Sequence, residues 1–163
     1  MAGMFPTMVG DPNDPNRRYS APSGDQWPRS LRTAYWLVVA AAALMLVTAM
    51  MLLTTGFPQG ADQSFRYAYM VNMRVVAWGD VLLALGLGGT ASYFERGSRV
   101  ARRWAAAFVA VGIFLNAAAF ALQVAGWSVL VIVVLLSVAA LCMFRPAANA
   151  FIDSKHSLWK GVE

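Results

Sequence analysis

The sequence predicts an all-α integral membrane protein, a four-helix bundle with both termini in the cytoplasm and a disordered N-terminal tail. Three observations carry that prediction. Apolar residues make up 59% of the 163 and charged residues only 13%, whereas soluble domains run to roughly 45–50% apolar and about 25% charged. The mean hydropathy is +0.54, and the apolar residues gather into four blocks of 18 residues or more. Arginines bracket those blocks on alternate sides.

The blocks run from about Ala34 to Thr55, Met70 to Phe94, Trp104 to Val124 and Trp127 to Phe144. A helix needs about 20 residues to cross some 30 Å of hydrocarbon. None of the blocks alternates with period 2, so closed barrels do not fit and transmembrane helices do. The first block starts too far from the N-terminus, behind Asp11, Asp14 and Asp25, for a signal peptide.

Orientation follows from the basic residues. Arg17, Arg18, Arg29 and Arg32 precede the first span, Arg96, Arg99, Arg102 and Arg103 lie between the second and third, and Arg145, Lys155 and Lys160 follow the fourth. The first outer loop has only Arg66, balanced by Asp62, and the turn at Ala125-Gly126 has no charge. The cytoplasm therefore holds both ends and the middle loop. Tyr35, Trp36, Tyr93, Phe94, Trp104, Trp127 and Phe144 fit interfacial belts. The same arrangement accounts for the basic pI near 9.9, through retention and attraction to anionic headgroups, with no nucleic-acid partner.

Residues 1–28 are dense in Pro, Gly, Asn and Asp and cannot bury enough apolar surface to offset their ordering entropy. Ser30 is the expected N-cap of the first span. Residues 29–146 form the bundle. In 147–163, Pro146 favours a break, and Phe151, Leu158 and Val162 suit one face of an interfacial amphipathic helix, with Trp159 at the headgroups. A frayed tail is the competing reading. His156 in this tail reads as solvated.

Polar residues within spans are the candidate functional groups, since a charge at mid-bilayer costs roughly 2.5–3.5 kcal/mol on insertion scales. Arg74 reads as an interfacial anchor whose guanidinium extends to the outer headgroups. Asp80 falls near mid-bilayer, where a short carboxyl needs a partner or a proton. The two are six residues apart, about 240° round the helix and 9 Å along it, and do not pair. Asp80, Asn116 and Ser137 come to matching depths and form the expected buried polar cluster. Three readings of Asp80 stand side by side: a hydrogen-bonded structural carboxyl, a contact with a partner subunit, or a proton or cation site in transport. Asn72, Gly79, Gly86 and Thr90 form a small-residue stripe suited to helix packing.

No catalytic motif is present, and no cofactor or metal site is expected. A single cysteine (Cys142) and a single histidine exclude a disulfide framework, a CxxC pair and a bis-histidine haem within one chain.

The segments Pro28-Arg29-Ser30-Leu31-Arg32 leading into Tyr35-Trp36-Leu37, Arg102-Arg103-Trp104-Ala105, and Phe144-Arg145-Pro146-Ala147-Ala148-Asn149-Ala150-Phe151 mark membrane interfaces. With its preference for arginine over lysine, the chain resembles the uncharacterised small four-span membrane proteins of high-GC, actinobacterial-type bacteria. That resemblance implies a topology in the cell membrane and no activity or site residue. The expected role is non-enzymatic: an accessory or scaffold subunit of a larger membrane complex for transport, envelope synthesis or respiration. The alternative is a small homo-oligomeric transporter or lipid-carrier flippase using Asp80. The expected partners are the lipid bilayer and another integral membrane protein or a second copy.

Overall fold

The computed structural model describes residues 27–55 and 62–152. Most of the N-terminal tail and everything after Ile152, His156 included, lie outside the described residues. Within them the chain is all-helical, with no strand: α1 (Arg29–Thr54), α2 (Gln63–Ala91), α3 (Arg99–Ala121), α4 (Ser128–Met143) and the short α5 (Pro146–Ile152).

Helices α1 to α3 begin earlier than the apolar blocks because polar residues continue them outward. Pro28, not Ser30, caps α1, its carbonyl accepting from the Leu31 and Arg32 amides at 3.0 and 3.1 Å. Ser30 lies inside the first turn with its hydroxyl buried and unpartnered. Asp62 caps α2: its carboxylate accepts from the Gln63 amide at 2.9 Å and the Ser64 hydroxyl at 2.6 Å. The Ser64 hydroxyl, and after it the Gln63 amide, hold the Asp62 carboxyl below its ordinary 3.8. Ser98 caps α3 through the Ala101 amide, just after Gly97 at φ 64°. At the other end of α3, Gln123 takes φ 56°, the left-handed residue with which many helices terminate.

Each long helix packs on two neighbours: α1 on α2 and α4, and α3 on α2 and α4. Two apolar clusters fill the interior. The larger runs from Leu31 and Phe94 through Val38, Leu87 and Met143 to Phe151 and Ile152. The smaller gathers Ala49, Leu52, Met73, Val76, Ala77, Ala119 and Val124. Thr48, Asp80 and Asn116 are the buried polar residues among those described. Outside, large apolar side chains stand free: Trp36 is 63% exposed, Leu82 67%, Phe114 75% and Leu141 72%. An apolar interior under an equally apolar exterior departs from the polar surface of a soluble domain. Phe94 departs from the expected aromatic belt and joins the core instead.

Three helices, α1 to α3, are long and apolar enough to cross a membrane, and four if α4 and α5 count as one bent span. At 16 residues α4 covers only about 24 Å. The chain then turns by 60° into α5, where Pro146 supplies no amide to prolong α4. Phe151 points into the chain's own core, not towards a membrane surface. Arg102 fastens α5 by donating to Asn149 Oδ1 and by lying 5.5 Å above the Phe144 ring.

Candidate functional site

Among the described residues, Asp80 of α2 and Asn116 of α3 form a hydrogen bond between two buried side chains. Ala77 is the central residue of α2, and Asp80 lies about one turn beyond it. Both side chains are 0% exposed. Asn116 Nδ2 donates to Asp80 Oδ1 at 2.9 Å and to the Gly112 carbonyl of its own helix at 3.0 Å. A primary amide has two hydrogens, so both are committed, and the orientation of the Asn116 amide is fixed. Two acceptors remain: Asp80 Oδ2 and Asn116 Oδ1 are buried without a partner.

Ser137 does not join them. Its half-buried hydroxyl donates to the Val133 carbonyl of α4 at 2.7 Å, the bond a helical serine makes with its own backbone. Thr48 does the same with Leu44 at 2.9 Å. The polar layer expected from three helices is thus, in its side-chain bonding, a pair from two.

The small-residue stripe divides similarly. A Cβ on Gly79 would fall 2.6 Å from Leu115 Cδ2, and one on Gly86 would fall 2.9 Å from the Phe108 ring. The glycines are therefore sockets for α3 side chains. Gly79 and Gly86 are a heptad apart, as are Leu115 and Phe108 in the opposite order, which is the register of two antiparallel helices. Thr90 bonds its own helix at the Gly86 and Leu87 carbonyls. Asn72 is exposed and stands outside the seam. Arg74 is exposed too, beside a shallow 340 Å³ groove shared with Gln63, Arg66, Tyr67, Met70 and Val71.

Sequence reasoning singled out the glycines but not the knobs Leu115 and Phe108, although their seven-residue spacing mirrors the sockets. The carbonyl of Gly112 holds the Asn116 amide. Gly112 is tightly placed, with room for a Cβ only 3.0 Å from Leu136 Cδ1.

Among the described residues no group of three His, Cys, Asp or Glu side chains converges as metal ligands would. Grooves of 380 and 480 Å³ open near the α2–α3 turn, the first along Gly86, Gly89 and Tyr93, the second beside Trp27, Arg32 and Glu95. Neither is lined by Asp80 or Asn116, both of which are fully buried. No family model, curated protein or solved structure matches the chain. The class that fold and site define is a helical protein with three to four helices long and apolar enough to cross a membrane and an internal carboxyl–amide contact.

Proposed function

We propose that this chain is a multi-pass four-helix bundle of the cell membrane, with both termini and the α2–α3 turn in the cytoplasm, and that it is a non-enzymatic accessory or scaffold subunit of a larger membrane complex. The membrane part of the reading is supported by the exposed apolar side chains on every long helix, whose favourable surroundings are lipid and neighbouring membrane helices, not water. The orientation is supported by Arg96, Arg99, Arg102 and Arg103 lying at one end, against a single outer Arg66.

One observation carries the accessory role. Gly88 and Gly89 are exposed, and a Cβ on either would meet nothing within 4 Å. They continue the face on which Trp78, Leu82 and Leu85 stand exposed. Glycines serving the chain's own packing are occupied, as Gly79 and Gly86 are. Two adjacent glycines facing outward leave a bare stretch of backbone that a helix of another membrane protein can approach closely. A carrier coupling through Asp80 is less well supported, because that carboxyl is sealed against Asn116.

Purification in mild detergent, with a photo-crosslinking side chain in place of the exposed Leu85 on the same face, tests the reading. A stoichiometric foreign membrane protein, crosslinked at this position and lost in Gly88→Leu, is the expected result. A monomer or homodimer unaffected by Gly88→Leu would contradict it.

A further inference from the structure

The two unpartnered acceptors at the centre of the α2–α3 seam lack one hydrogen between them. We propose that Asp80 carries that hydrogen on Oδ2 and donates it to Asn116 Oδ1, so that a neutral carboxylic acid and an amide close a ring of two hydrogen bonds. The pair is then a proton-binding site built into the seam.

The argument is one of elimination among donors. Both hydrogens of Asn116 Nδ2 are already spent, on Asp80 Oδ1 and on the Gly112 carbonyl. The hydroxyls of Thr48 and Ser137 each have one hydrogen and give it to Leu44 and Val133. Among the described residues, no charged group of α1, α3 or α4 lies at the depth of the pair. The charged residues of α1 are Arg29 and Arg32, and those of α3 are Arg99, Arg102 and Arg103, all in the opening turns; α4 has none. Arg103 precedes Asn116 by thirteen residues, about 20 Å along the helix. On α2 itself Arg74 is exposed and lies about 120° away round the helix, and Arg66 is further off still along it.

A bare carboxylate here would leave a charge in an apolar interior with one hydrogen bond and no counter-ion, the costliest way to bury the group. A protonated carboxyl, by contrast, is both a donor and an acceptor. An acid and a primary amide meeting edge to edge satisfy each other with two parallel bonds, one of which is the observed 2.9 Å contact. The inference does not depend on which assembly the chain joins.

Infrared spectroscopy of the full-length protein in lipid nanodiscs at neutral pH reads the hydrogen directly. The expected spectrum contains a hydrogen-bonded carboxylic-acid C=O stretch that shifts in protein folded from 2H2O and is absent from Asp80→Asn. The same variant is expected to keep the wild-type Tm, because its amide N–H replaces the acid O–H in the ring. Should Asp80→Asn fail to fold, Asn116→Gln serves instead, and the acid band is expected to persist at a displaced frequency. Carboxylate stretches from Asp80 with no acid band would overturn the proposal, whether a trapped water or a cation proved to occupy the gap.

Discussion

Gly79 of α2 lies so close to Leu115 of α3 that a Cβ in place of the glycine's hydrogen would fall 2.6 Å from Leu115 Cδ2. The next residue of each helix completes the contact, Asp80 accepting from Asn116 at 2.9 Å. Socket, knob and polar pair are thus one device, in which close approach of the backbones brings a short carboxyl within reach of a short amide.

Enlarging the sockets should loosen the seam. Gly79→Ala forces Leu115 off its position, and Gly86→Ala does the same to the Phe108 ring. Each is expected to cost about 1–3 kcal/mol, as overpacking does in well-filled cores. Gly88→Ala and Gly89→Ala meet open space and should leave stability unchanged. Thermal denaturation in detergent, compared across the four variants, checks the contrast.

Removing one member of the polar pair should hurt more than removing both. Asn116→Leu strands the Asp80 carboxyl, a loss of about 1–3 kcal/mol for a buried polar group deprived of its partner. The Asp80→Leu/Asn116→Leu double variant removes the stranded group and is expected to regain much of that loss. A double-mutant cycle on unfolding free energies measures the coupling.

The Asp80–Asn116 approach was partly legible in the sequence, since counting residues from the block ends put both at one depth. Depth alone does not say which way a side chain turns. Ser137 has the same depth, yet its hydroxyl finds the Val133 carbonyl one turn back in its own helix. The helices themselves were legible because hydrocarbon leaves a long apolar segment few alternatives. Their starts were not, since Arg29 and Gln63 extend helices whose polar ends no apolar pattern marks. The bend after α4 was announced by Pro146, but the burial of Phe151 and Ile152 depends on Arg102, forty-seven residues from Asn149.

That clamp yields a prediction of its own. Arg102→Ala removes both the hydrogen bond to Asn149 and the stacking on Phe144, at a cost of about 1–2 kcal/mol. The loss should fall on α5 and spare the four long helices. Faster amide exchange confined to residues 147–152 is the expected readout.

The start of α2 should respond to acid. The Asp62 carboxyl is held below its ordinary 3.8 by Ser64 and Gln63. A group whose value is lowered by folding stabilises the fold above its unfolded value, and the contribution disappears as pH falls through the folded one. The cap is therefore expected to be intact at neutral pH and to be lost only below 3.8. Asp62→Asn, which keeps an acceptor but no charge, should abolish this acid sensitivity. Amide exchange at Gln63 and Ser64, followed against pH, reports it.

Lipid is the expected medium of the exposed Trp36, Phe114 and Leu141 side chains. Alkaline carbonate extraction of membranes from cells expressing the chain measures this most directly, since it strips peripheral proteins and leaves spanning ones behind. Quantitative retention in the membrane pellet is the predicted result. Release of the folded chain into the aqueous supernatant would contradict it.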